Sequence, residues 1–144
     1  MRWYRRGHPY AHVRREKVAG YFYRSGAERA VGEFLSKIGW EWEHEPKEFE
    51  FPIKRGTRFY TPDYMAWPKG KPEDYKWIEV KGWMDQKSGT KLKRVMKYHP
   101  DEAKRLVIVT DWPGMNDWVQ RCVPIGLPLE VWSLKKVTPL GGHQ

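Results

Sequence analysis

Three carboxylates and one lysine carry the chemistry this chain could perform. Asp63 follows Pro62 in the run FYTPDYMAW, residues 59–67, and Glu79 and Lys81 stand two apart in WIEVKGW, residues 77–83. In an extended strand, side chains alternate between faces, so Trp77, Glu79 and Lys81 point one way and Ile78 and Val80 the other. An exposed pair of opposite charges at that spacing contributes little, and it fits poorly among apolar neighbours. Strands joined by one loop usually pair, which would bring Asp63 alongside Glu79. Such oxygen donors suit Mg²⁺, with Mn²⁺ as a substitute, because that ion takes one or two carboxylates together with waters and phosphate oxygens. The ion would activate water and stabilise charge on a phosphate under attack. A lysine beside it would orient or deprotonate the water and share that charge. Glu28, on a helix upstream, could close the site from a third direction. Asp63, Glu79 and Glu28 are therefore the candidate metal ligands.

The elements that must hold these residues are readable from the pattern. In SGAERAVGEFLSKIG, residues 25–39, Ala27, Ala30, Val31, Phe34, Leu35 and Ile38 recur at helical spacing. Ser25 suits the N-cap, Glu28 completes a capping box and Gly39 ends the helix. Glu28 falls at the edge of the apolar stripe, and its capping position would explain it without any metal. WEWEHEPKEFEFPI, residues 40–53, alternates and reads as extended structure bent at Pro46. Glu41, Glu43 and Glu45 then form a solvated strand face rather than a metal site. FYTPDYMAW is the second strand and YKWIEVKGW, residues 75–83, the third, with Gly82 letting the chain turn away after Lys81. MDQKSGT, residues 84–90, reads as a polar loop. Leu92, Val95, Met96 and His99 continue as a helix stopped by Pro100. RLVIVT, residues 105–110, is a buried strand. A short helix near residues 117–122 and a strand in LEVWSL, residues 129–134, follow. The order predicts an α/β fold, a central mixed β-sheet flanked by helices (αβββαβ).

Composition bounds the partners. The 144 residues suit one domain. The single cysteine, Cys122, excludes an internal disulfide and a cysteine-based zinc cage. No apolar run is long enough to span a bilayer, and the basic N-terminus lacks the apolar core of a secretory signal. The expectation is a soluble cytoplasmic protein with no membrane partner. The formal charge of +9, from 27 Lys and Arg against 18 Asp and Glu, favours a polyanion. Nine tryptophans and eight tyrosines beside those cations suit unstacked bases, although many of the rings must be core. Residues 1–24 carry seven Arg and Lys against Glu16, and Gly7, Pro9 and Gly20 interrupt their periodicity. They read as a basic arm in which Arg5, Arg6, Arg14 and Arg15 would contact DNA, ahead of a folded domain over residues 25–144. Lys87, Lys91, Lys93 and Arg94 are further candidates for phosphate contacts. His8 and His12 have helical spacing but lack the other ligands of a metal site.

Pro62-Asp63 followed by Glu79-Val80-Lys81 resembles the signature of PD-(D/E)xK nucleases. Arg24-Ser25-Gly26-Ala27-Glu28, Tyr60-Thr61-Pro62-Asp63-Tyr64, Glu79-Val80-Lys81-Gly82 and His99-Pro100 are together similar to the phage endonuclease I family of Holliday-junction resolvases. The resemblance covers residues 22–110. It implies a restriction-endonuclease-like core with Glu28, Asp63, Glu79 and Lys81 as catalytic residues. It also implies a Mg²⁺-dependent, structure-selective DNA endonuclease that hydrolyses phosphodiesters in branched DNA. It further implies a homodimer, with residues 40–58 long and strand-like enough to be exchanged between copies, and host cytoplasm as the setting of a phage-encoded protein. Residues 84–90 depart from the family's charged run, which leaves substrate geometry open. The enzyme alternative is another phage- or transposon-type nuclease of the superfamily, cutting or nicking duplex or single-stranded DNA. The non-enzyme alternative is a DNA-binding module with an inactive nuclease fold.

Overall fold

The apolar stripe upstream folds as α1 (Gly26–Lys37), with Val31 and Leu35 fully buried. Gly39, at φ 84°, takes the left-handed conformation that ends the helix. Ile38, counted in the stripe, lies past the helix and is 44% exposed. The structure, a computed structural model, describes residues 26–137. The basic arm, with Arg5, Arg6, Arg14 and Arg15, and the capping residue Ser25 lie outside the described residues.

A five-stranded mixed sheet follows. β1 (Trp40–His44) pairs antiparallel with β4 (Tyr64–Pro68), and β4 pairs antiparallel with β5 (Lys76–Val80). β6 (Leu106–Val109) runs parallel to β5, and β7 (Glu130–Trp132) runs parallel to β6. The strand order is β1-β4-β5-β6-β7. β2 (Phe49–Glu50) and β3 (Phe59–Tyr60) form a separate antiparallel ribbon. A long helix, α2 (Gln86–Tyr98), and the short α3 (Pro100–Ala103) make the crossover from β5 to β6. A parallel pair needs such a crossover. α4 (Met115–Cys122) connects β6 to β7, and α5 (Leu134–Val137) follows. The architecture is thus mixed α/β, as the pattern predicted.

The strand period of two divides the apolar residues between the sheet's faces. On one face Trp77, Leu106 and Ile108 pack with Leu92, Val95 and Met96 of α2 and with Met115 and Trp118 of α4. On the other Ile78, Val107, Val109, Tyr64 and Ala66 pack with Val31 and Leu35 of α1 and Val137 of α5. All four residues of β6 are buried, the wholly apolar strand expected of RLVIVT. Burying each large side chain in these layers contributes about 1.5–3 kcal/mol. No helix among the described residues is long and apolar enough to cross a membrane.

Several boundaries differ from the pattern reading. The segment 40–53 is two short strands on different sheets, β1 paired with β4 and β2 with β3. The run 59–67 is also two strands. Pro62 has no N–H for a ladder, and the chain leaves the ribbon at Tyr60 and enters the main sheet at Tyr64. MDQKSGT is not a loop throughout, because α2 begins at Gln86 with Asp85 as its N-cap, whose carboxylate accepts from the Ser88 amide. Gly82 has neither a positive φ nor a crowded Cβ position, so the turn after Lys81 does not require glycine.

Candidate active site

Asp63 sits in the break between β3 and β4, where no ladder claims its side chain. Its Oδ2 accepts the Val80 amide at 2.7 Å, tying the PD segment to the end of β5. Its backbone carbonyl accepts the Glu45 amide at 2.9 Å, which extends the pairing of β1 with β4 by one step. Glu79 is buried on the face of β5 shared with Trp77. Its Oε1 accepts the Tyr60 hydroxyl at 2.6 Å. Lys81 lies one residue past β5, held by its amide to the Val109 carbonyl at 3.0 Å. Its Nζ is 3.3 Å from Glu79 Oε2 and donates to Ser88 Oγ at 2.8 Å. The α2 cap therefore has a second consequence. The Asp85 carboxylate fixes the Ser88 amide at 3.1 Å, and the Ser88 hydroxyl fixes the lysine.

Asp63, Glu79 and Lys81 line one cleft of about 340 Å³, with Tyr60, Thr61, Asp85, Lys87, Ser88 and Lys91 on its walls. Lys81, Lys87 and Lys91 share this lining with three carboxylates, Asp63, Glu79 and Asp85, the last capping the N-terminus of α2. Burial, then the charges of Glu79 and Glu28, push the Asp63 carboxyl well above the usual carboxylate range. The Val80 amide and Lys81 only partly oppose them. Burial also raises Glu79, against the pull of Lys81 and of the Tyr60 hydroxyl. Tyr60 is raised well above its ordinary value, by burial and then by the Glu79 charge beside it. Asp85 is lowered, first by its hydrogen bond to Ser88.

The donor chemistry fits a hard divalent cation. Two buried carboxylates crowd each other's charge at an open polar cleft, and a cation between them would relieve both. Asp63 and Glu79 would hold it.

Glu28 does not line the cleft. It lies near enough for its charge to raise both Asp63 and Glu79. Its carboxylate meets His44, Oε2 to Nε2 at 2.8 Å. Glu45, read from the sequence as part of a solvated row, turns out of that row at φ 48°. Glu28, His44 and Glu45 each offer a ligand atom within 4.8 Å of the others. The tightest donor group among the described residues is thus not the predicted trio. His44 sits on the Trp40–Trp42 face of β1, and alternation alone gave it no chemical role.

The predicted DNA contacts divide. Lys87 and Lys91, one turn apart on α2, both line the cleft. Lys93 is exposed and lines none of it. Arg94 turns to the Thr57 carbonyl and pins the loop 54–58. Tyr60 and Ser88 hold Glu79 and Lys81 through contacts that no sequence pattern specifies. Asp85 is a good N-cap ahead of the Leu92, Val95 and Met96 stripe, and a helix starting there places Ser88 in its first turn. The chain matches no family model, no curated protein and no solved structure.

Proposed function

We propose that this protein is a divalent-metal-dependent DNA endonuclease with a PD-(D/E)xK-type site, acting on branched DNA. The observation that carries this reading is the convergence of Asp63, from the break before β4, with Glu79 and Lys81, from the end of β5, on one cleft walled by Lys87 and Lys91. Mg²⁺ bound at Asp63 and Glu79 would supply charge neutralisation and water activation. Lys87 and Lys91 attract the phosphate backbone without reading sequence. Lys81, held by Ser88 and Glu79, is aimed at the phosphate oxygens, where its ammonium stabilises the negative charge that grows as water attacks phosphorus and a P–O bond breaks. Tyr60 holds Glu79 in one rotamer through its 2.6 Å bond.

One exposed ring supports a substrate with unstacked bases, as at a branch or in a single strand, over plain duplex. Trp83, 62% exposed, lies in sequence between the cleft residues Lys81 and Asp85 without lining the cleft itself, and an exposed ring suits a base that has left its stack. Two catalytic centres would be supplied by a homodimer, one for each cleaved strand of a four-way junction.

The test is single-turnover cleavage of a four-way junction by wild type and Lys81→Ala in Mg²⁺, with DNA affinity measured separately in Ca²⁺. We expect the variant to cleave about 10²–10⁴-fold more slowly at unchanged affinity. Equal cleavage by the two proteins would remove Lys81 from the mechanism. Robust binding with no cleavage by wild type would favour the DNA-binding module.

A further inference from the structure

We infer that His44 is a positioning residue that fixes the Glu28 carboxylate against the strand pair that also places Asp63. The activity readout of this inference rests on the nuclease reading, but its metal-binding readout does not.

The His44 side chain is fully buried and that of Glu28 is 7% exposed, with Nε2 and Oε2 at 2.8 Å. A buried carboxylate on a helix must be held by donors to keep one rotamer. Here the backbone is held as well, because the Tyr64 hydroxyl donates to the Glu28 carbonyl at 2.9 Å. Tyr64 reaches it through the space left by Gly32, where an added Cβ would lie 2.6 Å from the hydroxyl oxygen. His44 and Tyr64 are cross-strand partners, with rings edge to face at 5.1 Å. The next residues continue the same register, since the Glu45 amide bonds the Asp63 carbonyl at 2.9 Å. One strand pair therefore places both Asp63 and the donor that orients Glu28. A slip of β1 against β4 would misplace both at once.

The competing role is direct ligation, since Glu28, His44 and Glu45 are close enough to share an ion. The geometry favours positioning, because the His44 nitrogen nearest Glu28 is already taken up by that carboxylate. Outer donors of this kind change metal affinity or activity about 10–100-fold when removed.

Two variants separate the roles. His44→Gln keeps an N–H donor near the Nε2 position but is a poor transition-metal ligand; His44→Leu keeps bulk and removes the donor. Mn²⁺ affinity is read by electron paramagnetic resonance without DNA, and junction cleavage is read at saturating DNA. We expect His44→Gln to stay within about threefold of wild type in both, and His44→Leu to lose about 10–100-fold in both. Should His44→Leu fail to fold, as judged by its melting curve, His44→Gln alone decides. Near-wild-type Mn²⁺ affinity in His44→Gln supports positioning; a loss of about 10-fold or more in that folded variant assigns ligation and overturns it. Wild-type behaviour in His44→Leu, or no Mn²⁺ binding by wild type, overturns it too. If the Mn²⁺ pattern appears but wild type cleaves no DNA, the positioning role stands and the nuclease reading falls.

Discussion

At the scale of residues, the acids of the cleft set a conflict between folding and chemistry. Asp63 and Glu79 both bind their protons more tightly folded than unfolded, chiefly because burial penalises their charge. Groups raised in this way give their full stabilisation below the unfolded carboxylate range, near about pH 4. They lose it as pH rises through the raised folded values. In EDTA the melting temperature should therefore increase when pH is lowered from about 7.5 to about 5.5. Mn²⁺ or Mg²⁺ should raise it more at the higher pH, where the carboxylates are free of protons. Asp63→Asn keeps an acceptor for the Val80 amide and removes one of the crowded charges. It should melt higher than wild type in EDTA, show a flatter pH dependence and gain less from metal. Thermal melts across that pH range, with and without metal, check all three. A wild-type melting point that falls on acidification over this interval would contradict the assigned burial. Function held against stability in this way is common at active sites.

At the scale of elements, Gly32 shows how closely α1 must approach the sheet. Gly32→Ala gains about 1 kcal/mol of helix propensity. The new Cβ would stand 2.6 Å from the Tyr64 hydroxyl, and overpacking of this kind costs about 1–3 kcal/mol. The second effect wins, so the variant should lose about 1 kcal/mol in urea unfolding. Tyr64→Phe should recover part of the loss in the double variant. Much of this architecture was legible in the sequence. The stripe of α1, the alternation of Trp77, Ile78, Glu79 and Val80 and the apolar run of β6 each carry their own period. What was not legible depends on contacts distant in sequence. His44 meets Glu28 across 16 residues, and Tyr60 meets Glu79 across 19. Local composition misled at two places. The polar run MDQKSGT hid the start of α2, because only the Asp85–Ser88 cap marks it. The glutamate row read as solvated, because alternation could not foresee Glu45 turning out of it.

At the scale of the molecule, the sheet separates its tasks by face and by end. Its two faces carry the two cores, with α2 and α4 on one and α1 and α5 on the other. The cleft gathers Asp63 from before β4, Lys81 from after β5 and Ser88 from the start of α2. Chain ends and breaks rather than ladder interiors supply most of its chemistry. In the proposed reading, an overall charge of +9 would draw in a polyanion, and Lys87 and Lys91 in the cleft would meet its phosphates. The net charge alone would serve a binding module equally well; the carboxylates of the cleft would not. The most direct test of the central claim is therefore incubation of wild type with a four-way junction, a linear duplex and single-stranded DNA, each with and without Mg²⁺. The account predicts cleavage only with Mg²⁺ and fastest on the junction. Absence of Mg²⁺-dependent product on every substrate would contradict the nuclease assignment, and equal cutting of the linear duplex would contradict selectivity for branched DNA.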